Sequence, residues 1–219
     1  PQDNIVPLLP YADSLMLTRG MLNYSIPNNI KTPIVLRVSS GNSILNEDMS
    51  NEKLCVSMEE AIRMNVSAVA FSIYVGAEYE HQTLTEFSKL VNKAHSFGIP
   101  VLAVTAVGKD MARDLRYLSL ASRIAAELGA DIVKTYHCEG FEELVKTCPV
   151  PVIIAGGKKI SELKALELAE RAVNEGALGV DMGRNIFQAK NPIQMIKAVR
   201  SVVIDKFSHK ESYEKYLKK

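Results

Sequence analysis

Tryptophan is absent from the 219 residues and cysteine is scarce, with only Cys55, Cys138 and Cys148. Three irregularly spaced thiols supply neither a disulfide framework nor the ligand spacing of a zinc site. The chain is therefore expected in a reducing, cytoplasmic setting, without a metal. An excess of charge is lacking as well: 26 Lys and Arg stand against 25 Asp and Glu, a formal charge of +1. No general field favours nucleic acid or an anionic membrane, so an anionic ligand must be held by a local site. No apolar run approaches the roughly 20 residues of a spanning helix. The opening "PQDNIVPLLPYADS" has no basic stretch followed by an apolar one, and no secretory signal is expected. It also lacks an initiating Met, which is read as a chain that begins inside a longer protein.

What is present is alternation. Seven short apolar segments recur: "ADSLMLTRG" (12–20), "TPIVLRVSS" (32–40), "VSAVAFSIYVG" (66–76), "PVLAVTAVG" (100–108), "ADIVKTYHC" (130–138), "VPVIIAGG" (150–157) and "ALGVDMGRN" (177–185). Their continuous Val, Ile, Leu and Ala cores match strands buried on both faces of a parallel sheet. Amphipathic helical patterns lie between them. One carries Leu84, Phe87, Leu90, Val91 and Ala94 on a single face; another carries Leu163, Leu166, Ala169 and Val173; a third covers 114–130. The pattern is α/β in one domain, residues 1–204, followed by a polar segment, 205–219, read as a tail or interface helix.

Such alternation suits an open doubly wound sheet or a (β/α)8 TIM barrel. No G-x-G-x-x-G follows any strand, which removes the usual dinucleotide fingerprint. The last two strands instead end in glycine turns, "IIAGGKK" and "VDMGRNIF". Barrels often hold a phosphate on the loops after strands seven and eight. Gly156, Gly157 and Gly183 would let the backbone approach that anion, with Arg184 and Lys158 adding charge. Glycines also make tight turns without any ligand. A barrel needs eight strands; if these turns follow the seventh and eighth, the strand missing from the sequence is the first.

One charge interrupts the apolar strand "ADIVKTYHC". Lys134 shares a face with Ile132 and Tyr136 near the C-terminal end of what would be strand six, where barrel active sites lie. A lysine in apolar surroundings yields a neutral amine able to attack a carbonyl and form a Schiff base. Alternatively it reaches to the rim or pairs with a carboxylate such as Asp181. Arg37 shares a face with Ser39 in an apolar strand and must find a partner, and Ser39, Ser40 and Asn42 are expected near a cavity mouth. Lys109, Asp110, Arg113 and Asp114 form a charged loop that either reaches a phosphate or long cofactor or simply starts a helix. Tyr79, His81 and Cys138 are weaker candidates, and no His is spaced to activate the thiol.

The blocks "IVKTYHCEGFEELV", "CPVPVIIAGGKK" and "GALGVDMGRNIFQ" resemble the signature blocks of the DhnA-type class I aldolase family of (β/α)8 barrels. More narrowly, "ADSLMLTRG", "IVLRVSSGNSIL", "YVGAEYEHQ" and "AVTAVGKDMARDLRYLSLASRIAAELGA" resemble its autoinducer-2 phosphate-processing thiolase branch. The resemblance implies acetyl transfer from 3-hydroxy-2,4-pentanedione 5-phosphate to coenzyme A as co-substrate, giving dihydroxyacetone phosphate and acetyl-CoA, with no tightly bound cofactor. It lays the Schiff-base or catalytic role on Lys134 and the phosphate site on Gly156, Gly157, Gly183 and Arg184. Arg37, Ser39, Tyr136 and Lys158 are then cavity-lining candidates. It also implies a homo-oligomer, a decamer of two pentamers. The family's bisphosphate aldolases carry a Trp-x-Tyr pair on strand five, and here those positions are Val104 and Ala106. Its first-strand Asp-His-Gly motif has no counterpart in the sequence. The alternatives are a Schiff-base aldolase acting on another keto-sugar phosphate, and a non-catalytic sugar-phosphate-binding protein.

Overall fold

A computed structural model describes residues 2–43, 45, 48–107 and 112–218. The chain runs α1 (Gln2–Ile5), a 3-10 helix (Val6–Tyr11), β1 (Leu15–Thr18), α2 (Arg19–Ser25), β2 (Ile34–Arg37), β3 (Ser39–Ser40), β4 (Lys53–Leu54) and α3 (Met58–Arg63). It continues β5 (Ala68–Val75), α4 (Glu80–His95), β6 (Val101–Val107), α5 (Leu115–Glu127), β7 (Ile132–Thr135), α6 (Phe141–Thr147) and β8 (Val152–Ala155). It closes with α7 (Glu162–Asn174), β9 (Gly179–Asp181), α8 (Gly183–Phe187), α9 (Pro192–Val203) and α10 (His209–Tyr216).

Seven parallel strands form one sheet in the order β1-β2-β5-β6-β7-β8-β9. Met16 from one end of that order and Asp181 from the other line the same cavity, so the sheet is curled around a lumen. This is the (β/α)8 architecture with seven of its eight strands in the described sheet, and helices cover the outer face. The segment expected as one strand over 32–40 divides in two. β2 ends at Arg37, and the chain turns off the sheet into the antiparallel ribbon β3–β4, where Ser39 pairs with Leu54.

Alternation gives each strand two unlike faces. Leu36, Phe71, Ile73, Val133 and Ile154 point toward the helices and are fully inaccessible. Phe71 meets Phe87 of α4 with ring centroids 6.1 Å apart, and burying each such side chain contributes about 1.5–3 kcal/mol. The alternate positions face the lumen, where Arg37, Tyr74 and Lys134 stay partly exposed and Ser72 is buried. On α7 the buried stripe is Ala165, Leu166, Ala169 and Ala172, while Leu163 remains 39% exposed. Ala165 and Ala169 cluster with Met195 and Ala198 of α9, Ala172 joins the main core, and the stripe is rotated from the one expected.

Two devices fix the chain's ends. The 3-10 helix packs on α9, and just beyond it Asp13 accepts from Arg200 at 2.7 Å. The polar segment near the C-terminus is helix α10, started by a capping box between Ser208 and Glu211. It packs against α7 and α9, with the Ser212 hydroxyl buried 2.8 Å from that of Ser201.

Candidate active site

A cavity of about 430 Å³ opens at the C-terminal ends of the strands. It gathers Met16, Arg37, Ser72, Tyr74, Lys134, Tyr136, Gly156, Gly157, Asp181, Gly183 and Arg184 on its walls. Seven of the residues expected at a site are therefore brought together: Lys134, Arg37, Tyr136, Gly156, Gly157, Gly183 and Arg184.

Lys134 occupies the third position of β7, between Val133 and Thr135, both fully buried on the helix side. Its neighbours thus anchor the strand while its own side chain enters the lumen. The Nζ donates to Asp181 Oδ2 at 2.6 Å, with side-chain exposures of 12% and 29%. The ammonium is largely buried and, among the described residues, has Asp181 as its one carboxylate partner, one of the arrangements the sequence left open. Val104 and Ala106 of β6 present small apolar groups to the same space, so that strand offers the lumen no acid or base at those positions.

The two glycine turns meet beside Lys134. Gly156 donates from its amide to the Asp181 carbonyl at 3.0 Å. A Cβ at Gly156 would sit 2.8 Å from the Met182 Cα, a backbone clash, so the close approach of the two loops depends on glycine. Asn185, almost fully buried, ties the loops together: its Nδ2 donates to the carbonyls of Gly156 at 2.7 Å and Lys158 at 3.3 Å. Its Oδ1 accepts from the Ile160 amide at 2.9 Å. Gly157 adopts a φ of +65°, and Arg184 lies at the start of α8.

The opposite wall is built around Glu52. Its carboxylate is 4% exposed and does not line the cavity. Oε1 accepts from Arg37 Nη2 at 2.6 Å and from the Tyr74 hydroxyl at 3.1 Å. Oε2 accepts from the Ser39 hydroxyl at 2.6 Å. Arg37 Nη2 also donates to Ser72 Oγ at 3.0 Å, and its Nε to the Ser39 carbonyl at 3.3 Å. Burial, followed by the negative charge of Glu52, pushes the Tyr74 phenol up to about 12, so this hydroxyl is a permanent donor at neutral pH.

Two expected lining residues lie elsewhere. Ser39 is buried behind the wall because the chain leaves the sheet after Arg37, and its hydroxyl is turned to Glu52. Lys158 is exposed outside the cavity lining and contributes only its carbonyl, to Asn185. Arg113 stacks on the Tyr136 ring, 4.0 Å from its centroid, which places a cation beside a lining residue. Asp114 caps α5 by accepting from the Tyr117 amide. Lys109 and Asp110 lie outside the described residues. Ser40, Asn42, Tyr79 and His81 do not reach the cavity. Cys138 is buried outside the lining, and its thiol is pushed up by burial and then by Asp114 and Glu175, which disfavours a thiolate nucleophile. Glu52, Ser72 and Tyr74 were not anticipated. The last two share a lumen face of β5 that alternation could have flagged; Glu52 lies in an irregular stretch with no periodic signal.

A family model for DeoC/LacD family aldolases matches residues 7–189. The 3-hydroxy-5-phosphonooxypentane-2,4-dione thiolase of Photorhabdus laumondii is 53% identical over 98% of this chain and 74% of the relative. The thiolase of the same name from Enterobacter sp. is 55% identical over 96% of this chain and 72% of the relative. A solved archaeal fructose-1,6-bisphosphate aldolase, described with its catalytic Lys covalently bound to the carbinolamine intermediate of the substrate, superposes with a TM-score of 0.83 at 28% identity, covering 91% of this chain and 82% of that one. With the barrel, the lumen lysine and the paired glycine turns already in place, these matches fix the affiliation: the chain belongs to the DeoC/LacD family of aldolases.

Proposed function

We propose that this protein is an acyltransferase of the aldolase family, a thiolase that moves the acetyl group of 3-hydroxy-5-phosphonooxypentane-2,4-dione to coenzyme A. The observation that carries this reading is a largely buried lysine, Lys134, set between paired glycine turns and a wall of polar donors in one cavity. The relatives bearing the thiolase name at 53% and 55% identity supply the substrate.

In this reading the phosphate lies on the turns of Gly156, Gly157, Gly183 and Arg184. The adjacent ketone, C4, then meets Lys134 Nζ. Attack by the neutral amine and loss of water give an iminium that withdraws electrons from the C2–C3 bond. Asp181, 2.6 Å from the nitrogen, is placed to take and return the protons of imine formation. The coenzyme A sulfur attacks C2, the C2–C3 bond breaks, and its electron pair passes into the iminium as an enamine. The proton released by the thiol goes to C3, and hydrolysis of the imine frees dihydroxyacetone phosphate beside acetyl-CoA. Substrate and thiol together thus account for every atom of the two products. Coenzyme A is a co-substrate here. A cytoplasmic setting and a homodecamer of two pentamers belong to the same proposal, and sedimentation velocity checks the second.

The test is intact-mass analysis after incubation with dihydroxyacetone phosphate and borohydride, for wild type and Lys134→Met, together with an acetyl-CoA release assay. An adduct that requires Lys134, with acetyl-CoA formed, supports the thiolase. An adduct without acetyl-CoA leaves a Schiff-base aldolase, and neither signal leaves a sugar-phosphate-binding protein.

A further inference from the structure

Resting on that reading, we propose that Arg37 binds the acetyl carbonyl oxygen and stabilises the oxyanion formed there, and that Glu52 is the residue that positions it. The substrate's own length sets the direction. With the phosphate on the turns after β8 and β9 and C4 on Lys134 of β7, the C2 carbonyl extends away from the glycine turns. Across the lumen stand Arg37, Ser72 and Tyr74, carried by β2 and β5.

The three lining groups are not equivalent. The Tyr74 proton is committed to Glu52. Ser72 Oγ accepts from Arg37, and its own proton is directed to the Tyr74 oxygen, a hydrogen bond that acts to lower that phenol. Arg37 spends its Nε on the Ser39 carbonyl and its Nη2 on Glu52 and Ser72, while its Nη1 has no partner among the described residues. This is the free edge of a guanidinium that is always charged and whose planar fork is fixed by its other bonds. The exposures point the same way: the carboxylate is 4% exposed and the guanidinium side chain 36%, so the cation is the partner presented to the cavity. Glu52 also accepts from Ser39 and Tyr74, which fix the carboxylate and, through it, the guanidinium. A donor already held in place needs no reorganisation when sulfur adds to C2 and the carbonyl electrons move to oxygen. When the C2–C3 bond then breaks, those electrons return to form the thioester carbonyl.

The test uses full-length wild type, Arg37→Met, Arg37→Lys and Glu52→Gln, with two readouts and a melting curve for each. Dihydroxyacetone phosphate has no acetyl group, so its borohydride-trapped adduct reports phosphate binding and imine formation alone. In Arg37→Met the kcat of acetyl transfer should fall about 100-fold, as for loss of one oxyanion donor, while trapping and the KM for the diketone phosphate change less than about threefold. Glu52→Gln should lower kcat by about tenfold with trapping retained. Unchanged acetyl transfer in Arg37→Met overturns the proposal and spares the thiolase. A parallel loss of trapping overturns it also, because Arg37 would then serve the phosphate or the fold. If Arg37→Met does not fold, Arg37→Lys decides: its single nitrogen cannot hold Glu52 and reach the substrate together, so a wild-type rate overturns the proposal. Wild type that traps the triose phosphate but forms no acetyl-CoA overturns the thiolase reading and this inference with it.

Discussion

The two walls of the cavity each carry a cation–carboxylate pair of the same length, 2.6 Å, built in opposite senses. On the β7–β9 wall the cation is the more buried member: Lys134 is 12% exposed and Asp181 29%. On the β2–β5 wall the carboxylate is hidden at 4%, and Arg37 stands 36% exposed. Length alone does not distinguish them; the order of burial does. A hidden amine beside a wetter carboxylate suits proton exchange and covalent attack. A hidden carboxylate behind a wetter guanidinium suits a fixed charge that never changes its bonds.

The comparison breaks most sharply if the walls prove interchangeable. Lys134→Ala should abolish the trapped adduct and reduce turnover on the order of 10³-fold or more, with the melting temperature nearly kept. Glu52→Ala should do the reverse in stability: it strands Arg37, Ser39 and Tyr74, and chemical denaturation should show a loss of about 3 kcal/mol. Asp181→Asn keeps an oxygen to accept from Lys134 at a half-buried pair, and should cost less, about 1–2 kcal/mol, in the same measurement. Equal losses in the two carboxylate variants would refute the asymmetry.

Much of this was legible beforehand, for reasons that can be named. Seven apolar runs mark the seven parallel strands, five of which, β2 and β5 to β8, are buried on the helix side, and the lysine stands out because it interrupts one of them. The glycine turns are visible because the loops of Gly156 and Met182 approach too closely for a Cβ. Glu52 was not legible. It reaches Arg37 from fifteen residues away, out of a segment whose described residues form only the short ribbon β3–β4. Contacts of that kind depend on tertiary closure and leave no period in the sequence. Ser39 was misplaced for the same reason, since alternation was carried past the point where the chain leaves the sheet.

Two smaller effects sharpen the picture. Asn185→Ala removes the buried tie between the glycine turns; denaturation should show a loss of about 2 kcal/mol, and the KM for the phosphorylated substrate should rise. Tyr74→Phe should cost about 1 kcal/mol and change a pH profile. The folded phenol lies near 12 against an ordinary value near 10. Its contribution to stability is therefore complete below about pH 10 and lost as pH rises through about 12. Wild-type stability should decline over that window more steeply than that of Tyr74→Phe, read by denaturant titration at each pH.

The two-faced strands carry a consequence for how such a barrel can diverge. Along β5 and β7 the odd-numbered residues Phe71, Ile73, Val133 and Thr135 are packed toward the helices, while Ser72, Tyr74 and Lys134 look into the lumen. Adjacent codons therefore answer to separate demands, one to the persistence of the fold and the next to the chemistry it hosts. A lineage can rewrite every second letter to meet a new substrate while the letters between keep the scaffold standing.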